Sequence, residues 1–196
     1  AYTYAPSAIT GFLAATATKV AIYVMLRFLF SVFQPGFLAE VPTLDLILYP
    51  FAILAMFAAS YTAILQRDLK RMLAYSSIGQ VGYMLLGIAL LSESGLMATM
   101  IHLFNHGITK AALFMGVGVY VLNGGGSFYH NLRGRGKTMP WTSAAMVVAG
   151  LSLIGVPGTA GFLSKWLLVE AAFAQGMWPI ALLIVASPGL PTHTVR

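Results

Sequence analysis

The feature that most constrains the fold is an apolar run, residues 95–123, which contains three ionisable side chains at four-residue intervals. A helix of this length crosses the hydrocarbon core of a bilayer, which is about 30 Å thick, because each residue adds about 1.5 Å. The spacing places His102, His106 and Lys110 on one face of such a helix. Ionisable groups at membrane depth are costly, and they usually line a polar path or pair with one another.

This polar face has three interpretations. It can carry protons or ions, it can form a buried cluster that joins two helices, or the His-x-x-x-His pair can bind a metal such as zinc. A joining cluster needs only one Asn or Ser, whereas two histidines and a lysine are present. A metal site lacks an evident third strong ligand nearby, and Lys110 on the same face would repel the cation. The sequence therefore favours a proton or ion relay, with no metal and no cofactor.

The composition supports a membrane setting for the whole chain. Of its 196 residues, 59% are hydrophobic and only 8% are charged. The net charge of +6 comes largely from two short basic segments, so it indicates membrane orientation and not nucleic-acid binding. The absence of cysteine excludes disulfides and redox thiols from this chain. Because Ala1 begins close to an apolar segment, without an initiator Met or a signal-peptide pattern, we expect a piece of a larger protein.

Length and apolar content predict four membrane spans and a fifth, longer apolar region. Pro50 predicts a kink in the second span. In the third, the small residues at 75–83 predict close helix packing, and the hydroxyls and the amide of this segment can hydrogen-bond across a helix interface. Residues 177–187 are apolar but too short to span. The predicted spans cover residues 9–33, 43–66, 72–91 and 95–123, and the fifth region covers residues 140–173.

The fifth region is too long to be one straight spanning helix. It would extend roughly 50 Å, which exceeds the hydrocarbon core. The segment Gly155-Val-Pro-Gly-Thr-Ala-Gly161 interrupts it and predicts a broken helix that faces protein or a wet cavity, a recurring device of transporters. The alternative is an ordinary helical hairpin with this segment as its turn. Lys165, directly after the interruption, needs an explanation in either case.

Further charged residues lie inside the apolar segments. Lys19 is near the middle of the first span, whereas Arg27 is close enough to its end to reach the interface. Among apolar helices the charged form of a lysine is costly, so a lysine there can exchange its proton when a neighbouring charge moves. Histidine titrates near neutral pH without such help. The intramembrane set predicted from the sequence comprises Lys19, His102, His106, Lys110, Lys165 and Glu170.

The loop charges predict the orientation of the chain. Alternating spans place the loops at residues 66–71 and 124–139 on the same side, which the positive-inside rule assigns to the cytoplasm. The opposite side is acidic, with Glu40, Asp45 and Glu93. The basic residues on the first side are Arg67, Lys70, Arg71, Arg133, Arg135 and Lys137.

Three motifs, in this order, resemble the antiporter-like proton-translocating subunits. That family includes the large membrane-arm subunits of respiratory complex I and the homologous Mrp-type multisubunit Na⁺/H⁺ antiporters. The similarity covers about residues 5–187. The motifs are Asp68-Leu-Lys-Arg-Met-Leu-Ala-Tyr-Ser-Ser-Ile78, then His102-x-x-x-His106-x-x-x-Lys110 followed by Ala-Ala-Leu-Phe, then Gly155-Val-Pro-Gly-Thr-Ala-Gly161-Phe-Leu-Ser-Lys165.

The resemblance implies an all-α polytopic membrane protein of 14 helices, with two inverted five-helix repeats and a hydrophilic axis along the membrane midplane. This chain is similar to about helices 8–13 of that fold. Residues 1–187 would form one transmembrane domain, a fragment of a larger proton-translocating domain, and residues 188–196 a short unstructured tail. The first half-channel of the family would lie upstream, so we do not expect this piece alone to transport.

The resemblance also implies a proton relay of five residues. Lys19 resembles the lysine that bridges the two half-channels. His102, His106 and Lys110 match the central axis of the second half-channel. Lys165 matches the terminal lysine at the break in the discontinuous twelfth helix, where the proton is exchanged with the outer side or the neighbouring subunit. Gln80 stands where some members carry His, so no titrating role is predicted there.

Within the family, the segment Arg135-Gly-Lys-Thr-Met-Pro-Trp141 and the triplet Ser164-Lys165-Trp166 most resemble the D subunit of Mrp-type antiporters. This predicts Na⁺(K⁺)/H⁺ antiport. The alternative is a proton-pumping subunit of NADH:quinone oxidoreductase or of a related membrane-bound hydrogenase, which would place the chain in an enzyme. A third hypothesis is a scaffold that transports nothing. The expected partners are other membrane subunits, the lipid bilayer, protons and Na⁺, without nucleic acid, and the expected location is the bacterial inner membrane.

Overall fold

The computed structural model describes residues 5–33, 44–123, 126–132 and 134–187, apart from the side chain of Asp45. Within those ranges the chain is almost entirely helical. The predicted features at Glu40, Arg133 and residues 188–196 lie outside them. The main helices are α1 (Ser7–Arg27), α2 (Leu44–Ile64), α3 (Leu69–Ala89), α4 (Glu93–Leu122), α5 (Pro140–Ile154), α6 (Ala160–Ala174) and α7 (Trp178–Ala186).

The four predicted spans are confirmed as helices. Their observed ends differ from the predicted ones by at most three residues, if a π-helical turn at Phe28–Val32 is counted with α1. Among the described residues, three helices are long and apolar enough to cross a membrane: Ser7–Val32, Leu46–Ile64 and Leu69–Ala89. The fourth, α4, has 30 residues, which corresponds to about 45 Å, but polar side chains interrupt its apolar sequence.

Three helix starts follow from capping side chains. The Asp68 carboxylate accepts hydrogen bonds from the backbone N–H groups of Lys70 (2.8 Å) and Arg71 (3.2 Å), and so begins α3. Ser92 begins α4 in the same way, through Gly95 N–H at 3.1 Å. Thr159 begins α6 and thereby ends the interruption predicted at residues 155–161.

The central element of the bundle is α4, which packs against α1, α3, α5 and α6. On the outside, α2 packs along α3, and α7 packs on α6. Glycine allows the close approach of α2 and α3, because a Cβ atom at Gly82 would lie 2.7 Å from the Ala52 carbonyl oxygen. The close helix packing predicted for residues 75–83 is confirmed here. This arrangement surrounds the polar face of α4 with other helices.

The two basic loops meet at one end of the bundle. Leu69 N–H donates to the Ser127 carbonyl at 2.8 Å, and the Ser127 hydroxyl donates to the Asp68 carboxylate at 2.7 Å. Tyr129 N–H donates to the Arg67 carbonyl at 3.3 Å. Partial burial and the nearby Asp68 carboxylate raise the pKa of Tyr129 above its ordinary value. The two loops therefore contact each other at one end of the bundle, and the side of the membrane on which they lie stays a prediction.

Candidate functional site

The predicted polar face of α4 is buried in the bundle. His102, His106 and Lys110 are 4%, 3% and 0% exposed. The two imidazole rings stack one turn apart, with centroids 6.2 Å apart and planes inclined by 6°. Helical periodicity thus produces a continuous row of titratable groups, as the four-residue spacing predicted.

Lys110 is held at one end of the row by α3. Its ammonium donates to the Leu73 carbonyl and to the Ser76 hydroxyl, both at 2.6 Å. The hydroxyls of Ser76 and Ser77 also donate to the Leu73 carbonyl, each at 3.0 Å. The partners of the lysine are therefore neutral oxygen atoms, and no carboxylate is among the contacts that fix it.

His102 connects three helices. Its Nε2 lies 3.0 Å from the Gln80 side-chain oxygen on α3, and its Nδ1 lies 2.9 Å from the Ser164 hydroxyl on α6. The Gln80 amide group donates to the Leu153 carbonyl near the end of α5 at 3.4 Å. The ring of Tyr83 is tilted against that of His102, with centroids 5.7 Å apart. His102 is thus where the row on α4 meets the interruption between α5 and α6.

The interruption is a break within one helical region and not the turn of a spanning hairpin. Both α5 and α6 contain 15 residues, so each is about 22 Å long and shorter than the hydrocarbon core. The chain between them takes positive φ at Gly155 (92°) and Gly158 (90°), which favours glycine. At Gly161, an added Cβ would overlap the Ser152 carbonyl, so glycine is what allows the two halves to touch.

Lys165 links the two halves of the broken helix, α5 and α6. Its ammonium donates to the carbonyls of Ile154 (2.8 Å) and Leu153 (3.2 Å), the last turn of α5, where helical carbonyls lack backbone partners. The nitrogen also lies 4.5 Å from the centroid of the Tyr83 ring. Lys165 is therefore fixed against the end of a half-helix, one residue away from the Ser164 hydroxyl that contacts His102.

Lys19 reaches the row from α1. Its side chain is buried, and its ammonium donates to the Ala14 carbonyl of its own helix. A Cβ added at Gly107 on α4 would lie 3.8 Å from Cε of Lys19 and 3.4 Å from the Ala15 carbonyl. The glycine between His106 and Lys110 thus lets α1 approach the row with its lysine.

His106 borders a small polar cavity. Neither of its ring nitrogens has a hydrogen-bond partner among the described residues. The cavity has a volume of about 10 Å³, which is close to the space that one water molecule needs. Its other lining residues are Gln80, His102, Asn105, Thr109, Ser152, Leu153 and Gly161.

The structure brings together five of the six residues in the predicted intramembrane set. The exception is Glu170, which is exposed on α6. The reason is helical geometry, because a residue five positions after Lys165 lies about 140° around the helix from it. Within the described part of the chain, no group of three His, Cys, Asp or Glu side chains could hold a metal ion. Both ring nitrogens of His102 have protein hydrogen-bond partners instead.

The sequence interpretation allowed the hydroxyls and the amide of residues 75–83 to hydrogen-bond across a helix interface, but it did not connect them with the row. It gives Gln80 no titrating role, yet this amide hydrogen-bonds His102. Ser164 lies inside the motif that precedes Lys165, but no role was predicted for it. Ser76 and the Leu73 carbonyl lie in the first motif and hold Lys110. Only the approach of three helices reveals these partners.

The fold and the site define a polytopic helical membrane protein with a row of buried titratable side chains beside a broken helix. The chain belongs to the family described as NADH:quinone oxidoreductase/Mrp antiporter, TM, which matches residues 1–190. It is therefore an antiporter-like, membrane-integral chain.

Similar proteins come from both branches of this family. The chain is 40% identical to the NADH-quinone oxidoreductase subunit N of Desulforudis audaxviator, over 95% of this chain and 37% of that protein. It is 36% identical to the D subunit of the Na(+)/H(+) antiporter of Alkalihalophilus pseudofirmus, over 92% of this chain and 36% of that protein.

One solved structure shows the same fold at 36% sequence identity and a TM-score of 0.79. It is a chain of the membrane-bound sulfane sulfur reductase (MBS), an archaeal respiratory membrane complex, and the match covers 95% of this chain and 38% of that one. This chain thus spans somewhat more than a third of the length of the relatives that it matches.

Proposed function

We propose that this chain carries protons through the membrane part of a multisubunit complex. The path would run along Lys110, His106, His102 and Lys165, with Lys19 beside it. The observation that carries the proposal is the bridge at His102, which joins the row on α4 to α3 and to the broken helix through Gln80 (3.0 Å) and Ser164 (2.9 Å). A proton on this row has a protein group to occupy at each helical turn.

The hydrogen-bond partners of the lysines favour proton exchange. A carboxylate beside a buried lysine would fix the ammonium form, because each charge stabilises the other. Lys110 and Lys165 instead donate to carbonyl and hydroxyl oxygens, which are neutral. Burial makes a charge costly without such compensation, so each lysine can release its proton when another charge approaches.

Repulsion within the row would couple loading to release. The row contains only basic titratable groups, and Lys19 lies beside it at the level of Gly107. Like charges in a poorly polarisable interior raise one another's energy, so a proton that enters at one group favours departure from the next. This gives the path a means of moving protons without a change in fold.

The described residues give the ring nitrogens of His106 no hydrogen-bond partner, so we expect a water molecule in the adjacent cavity to continue the path there. A water molecule in it could hydrogen-bond the ring nitrogens of His106 and reach Asn105, Thr109 or Ser152. Such a molecule would extend the path from His106 toward the His102 bridge.

The complex that would contain this subunit has two candidate types. The respiratory type, in which electron transfer drives proton movement, is favoured by the 40% identity to an NADH-quinone oxidoreductase subunit N and by the fold of an archaeal respiratory complex. The Na⁺/H⁺ antiporter type is favoured by the segments at residues 135–141 and 164–166 and by the 36% identity to the D subunit of an antiporter. Both types would place the chain beside other membrane subunits.

Everted membrane vesicles can test the proposal. The full-length subunit is expressed with its partner subunits in cells that lack other Na⁺/H⁺ antiporters, and the pH gradient is followed with a fluorescent amine. The respiratory type predicts a gradient generated by the electron donor of the complex, with no response to Na⁺. The antiporter type predicts that Na⁺ collapses a gradient made by respiration.

The variant Lys110→Ala tests the path in the same vesicles. We expect translocation to fall by about tenfold or more, because one proton-exchanging group is lost from the row. Glu170→Gln is the control, since this exposed carboxylate lies apart from the row and should not matter. Native gels establish that both variants assemble. An assembled Lys110→Ala complex that translocates at the wild-type rate would favour the scaffold hypothesis.

A further inference from the structure

We propose that Ser164 is a positioning residue that keeps His102 fully hydrogen-bonded in both of its protonation states, by turning its hydroxyl between His102 and the Gly161 carbonyl. The inference rests on the proposed function, since it concerns a proton that His102 gains and loses. Because Ser164 lies on α6, the broken helix would take a direct part in the protonation of His102.

The geometry around Ser164 offers its single hydroxyl proton two acceptors. The oxygen lies 2.9 Å from Nδ1 of His102 and 3.0 Å from the carbonyl of Gly161. A hydroxyl donates one hydrogen bond and accepts up to two. Ser164 is completely buried and His102 nearly so, and hydrogen bonds left unmade at buried groups are costly. The Ser164 hydroxyl therefore donates to His102 Nδ1 when that nitrogen is bare, and to the Gly161 carbonyl when it is protonated.

Gln80 fixes the other side of the imidazole. The Leu153 carbonyl can only accept, so it orients the Gln80 amide nitrogen toward itself and the amide oxygen toward His102. The oxygen in turn requires a proton on Nε2 of His102. Protonation and deprotonation of this histidine are thereby confined to Nδ1, which faces Ser164.

Two states follow, and the protons balance. In neutral His102, Nε2–H donates to Gln80, and the Ser164 hydroxyl donates to the bare Nδ1. When one proton is added at Nδ1, Nδ1–H donates to the oxygen of Ser164, and the hydroxyl turns to donate to the Gly161 carbonyl. The proton comes from the neighbouring protonated group of the proposed path, which loses it, and Ser164 carries one proton in both states.

The turn of the hydroxyl occurs in the first helical turn after the break. Gly161 N–H is also bound to the Ser152 hydroxyl, at 3.1 Å, and Lys165 follows Ser164 directly. The charge of His102 is thus connected, through Ser164, with the segment that holds Lys165 on the end of α5.

The test compares Ser164→Ala with Ser143→Ala in the assembled complex. Ser143 is a matched control, because its hydroxyl likewise bonds an aromatic side chain, that of Tyr120 (2.7 Å), and a carbonyl of the preceding turn, that of Met139 (2.8 Å). The titratable side chains that surround His102 stay unchanged in both variants. They are Lys19 on α1, Tyr83 on α3, His106 and Lys110 on α4 and Lys165 on α6, while α5 contains none.

The readout is the pH profile of proton translocation. Without the hydroxyl, charged His102 loses an acceptor and neutral His102 loses a donor, and the bond to the charged form is the stronger by roughly twofold. The profile of Ser164→Ala should therefore move to lower pH by about one unit, which equals about 1.4 kcal/mol. Ser143→Ala should keep the wild-type profile. If Ser164→Ala does not assemble, the same profile is measured for Ser164→Cys, since a thiol fills the space of the hydroxyl but hydrogen-bonds weakly.

The outcomes separate this inference from the proposed function. A shifted profile in Ser164→Ala or Ser164→Cys, absent in Ser143→Ala, supports the inference. A uniform loss of rate without a shift, or a wild-type profile, overturns it. Lys110→Ala is measured in parallel. If that variant loses translocation while Ser164→Ala keeps the wild-type profile, the inference fails and the proposed function stands, whereas unchanged translocation in assembled Lys110→Ala contradicts the proposed function itself.

Discussion

At the residue scale, the site is a set of basic side chains whose hydrogen-bond partners, within the described part of the chain, are neutral. Lys19 shows this most simply, since its ammonium donates to a carbonyl of its own helix while its carbon chain lies against α4. A buried cation in this position affects its neighbours mainly through charge. It makes any additional positive charge on the row less favourable.

Replacing Lys19 therefore should slow transfer without abolishing it. Lys19→Ala would weaken the repulsion by which, in the proposed relay, His106 and Lys110 pass a proton on. We expect translocation to fall by about three- to tenfold, which corresponds to roughly 1 kcal/mol in the barrier. Arg27→Ala on the same helix is the control, because Arg27 is exposed near the helix end. Initial rates in everted vesicles measure both variants. Equal rates for Lys19→Ala and the wild type would show that Lys19 takes no part in translocation.

Residues that titrate were easier to predict than residues that position them. A charge inside an apolar run is unusual in any sequence, so His102, His106, Lys110, Lys19 and Lys165 were visible at once. Neutral hydrogen-bonding residues such as Gln80 and Ser164 are common in helices, and their role depends on which helices meet. Glu170 lies apart from the row because it stands about 140° around α6 from Lys165, and helical angle is not visible from distance along the chain alone.

At the element scale, the broken helix depends on a contact that only glycine permits. The backbone of Gly161 lies against the Ser152 carbonyl, and its N–H donates to the Ser152 hydroxyl at 3.1 Å. Any side chain at this position must push α6 away from α5. The contacts of Lys165 with the end of α5 would be lost with that movement.

Gly161→Ala should therefore destabilise the complex by about 2–3 kcal/mol, the cost of overpacking against a backbone that has no room to yield. Gly150→Ala is the matched control, because a Cβ at Gly150 in α5 would meet no atom within 4 Å. Alanine is also the better helix former there, so this variant should be neutral or slightly stabilising. Thermal denaturation of the purified complex compares the two. Similar midpoints for both variants would show that the close contact at Gly161 does not hold the break.

The ends of the four spanning helices were predicted from the sequence to within three residues. Apolar length predicted the spans, and the glycines and proline at residues 155–161 predicted the break, because these are local properties of the chain. The π-helical turn at Phe28–Val32 was not predicted, and the packing of α2 on α3 was expected only in general terms. Such features depend on how neighbouring helices fit.

At the scale of the whole molecule, the row of titratable groups is enclosed by helices that are distant in sequence. The helix that carries it, α4, contacts α1, α3, α5 and α6. The basic loops are joined at one end of the bundle through Asp68, Ser127 and Tyr129. Membership of the NADH:quinone oxidoreductase/Mrp antiporter family agrees with this plan. The proposed function requires that the enclosed groups release protons and do not act only through their charge.

The most direct measurement of that claim is proton translocation by Lys165→Arg in the assembled complex. The guanidinium keeps the positive charge and can still donate to the Leu153 and Ile154 carbonyls, but it does not give up its proton. Lys137→Arg is the control, the same exchange at an exposed residue of the short helix Arg135–Thr138. We expect normal assembly of both variants, with translocation lost in Lys165→Arg and retained in Lys137→Arg. Wild-type translocation by Lys165→Arg would show that the charge of this residue is sufficient and would contradict a relay through it.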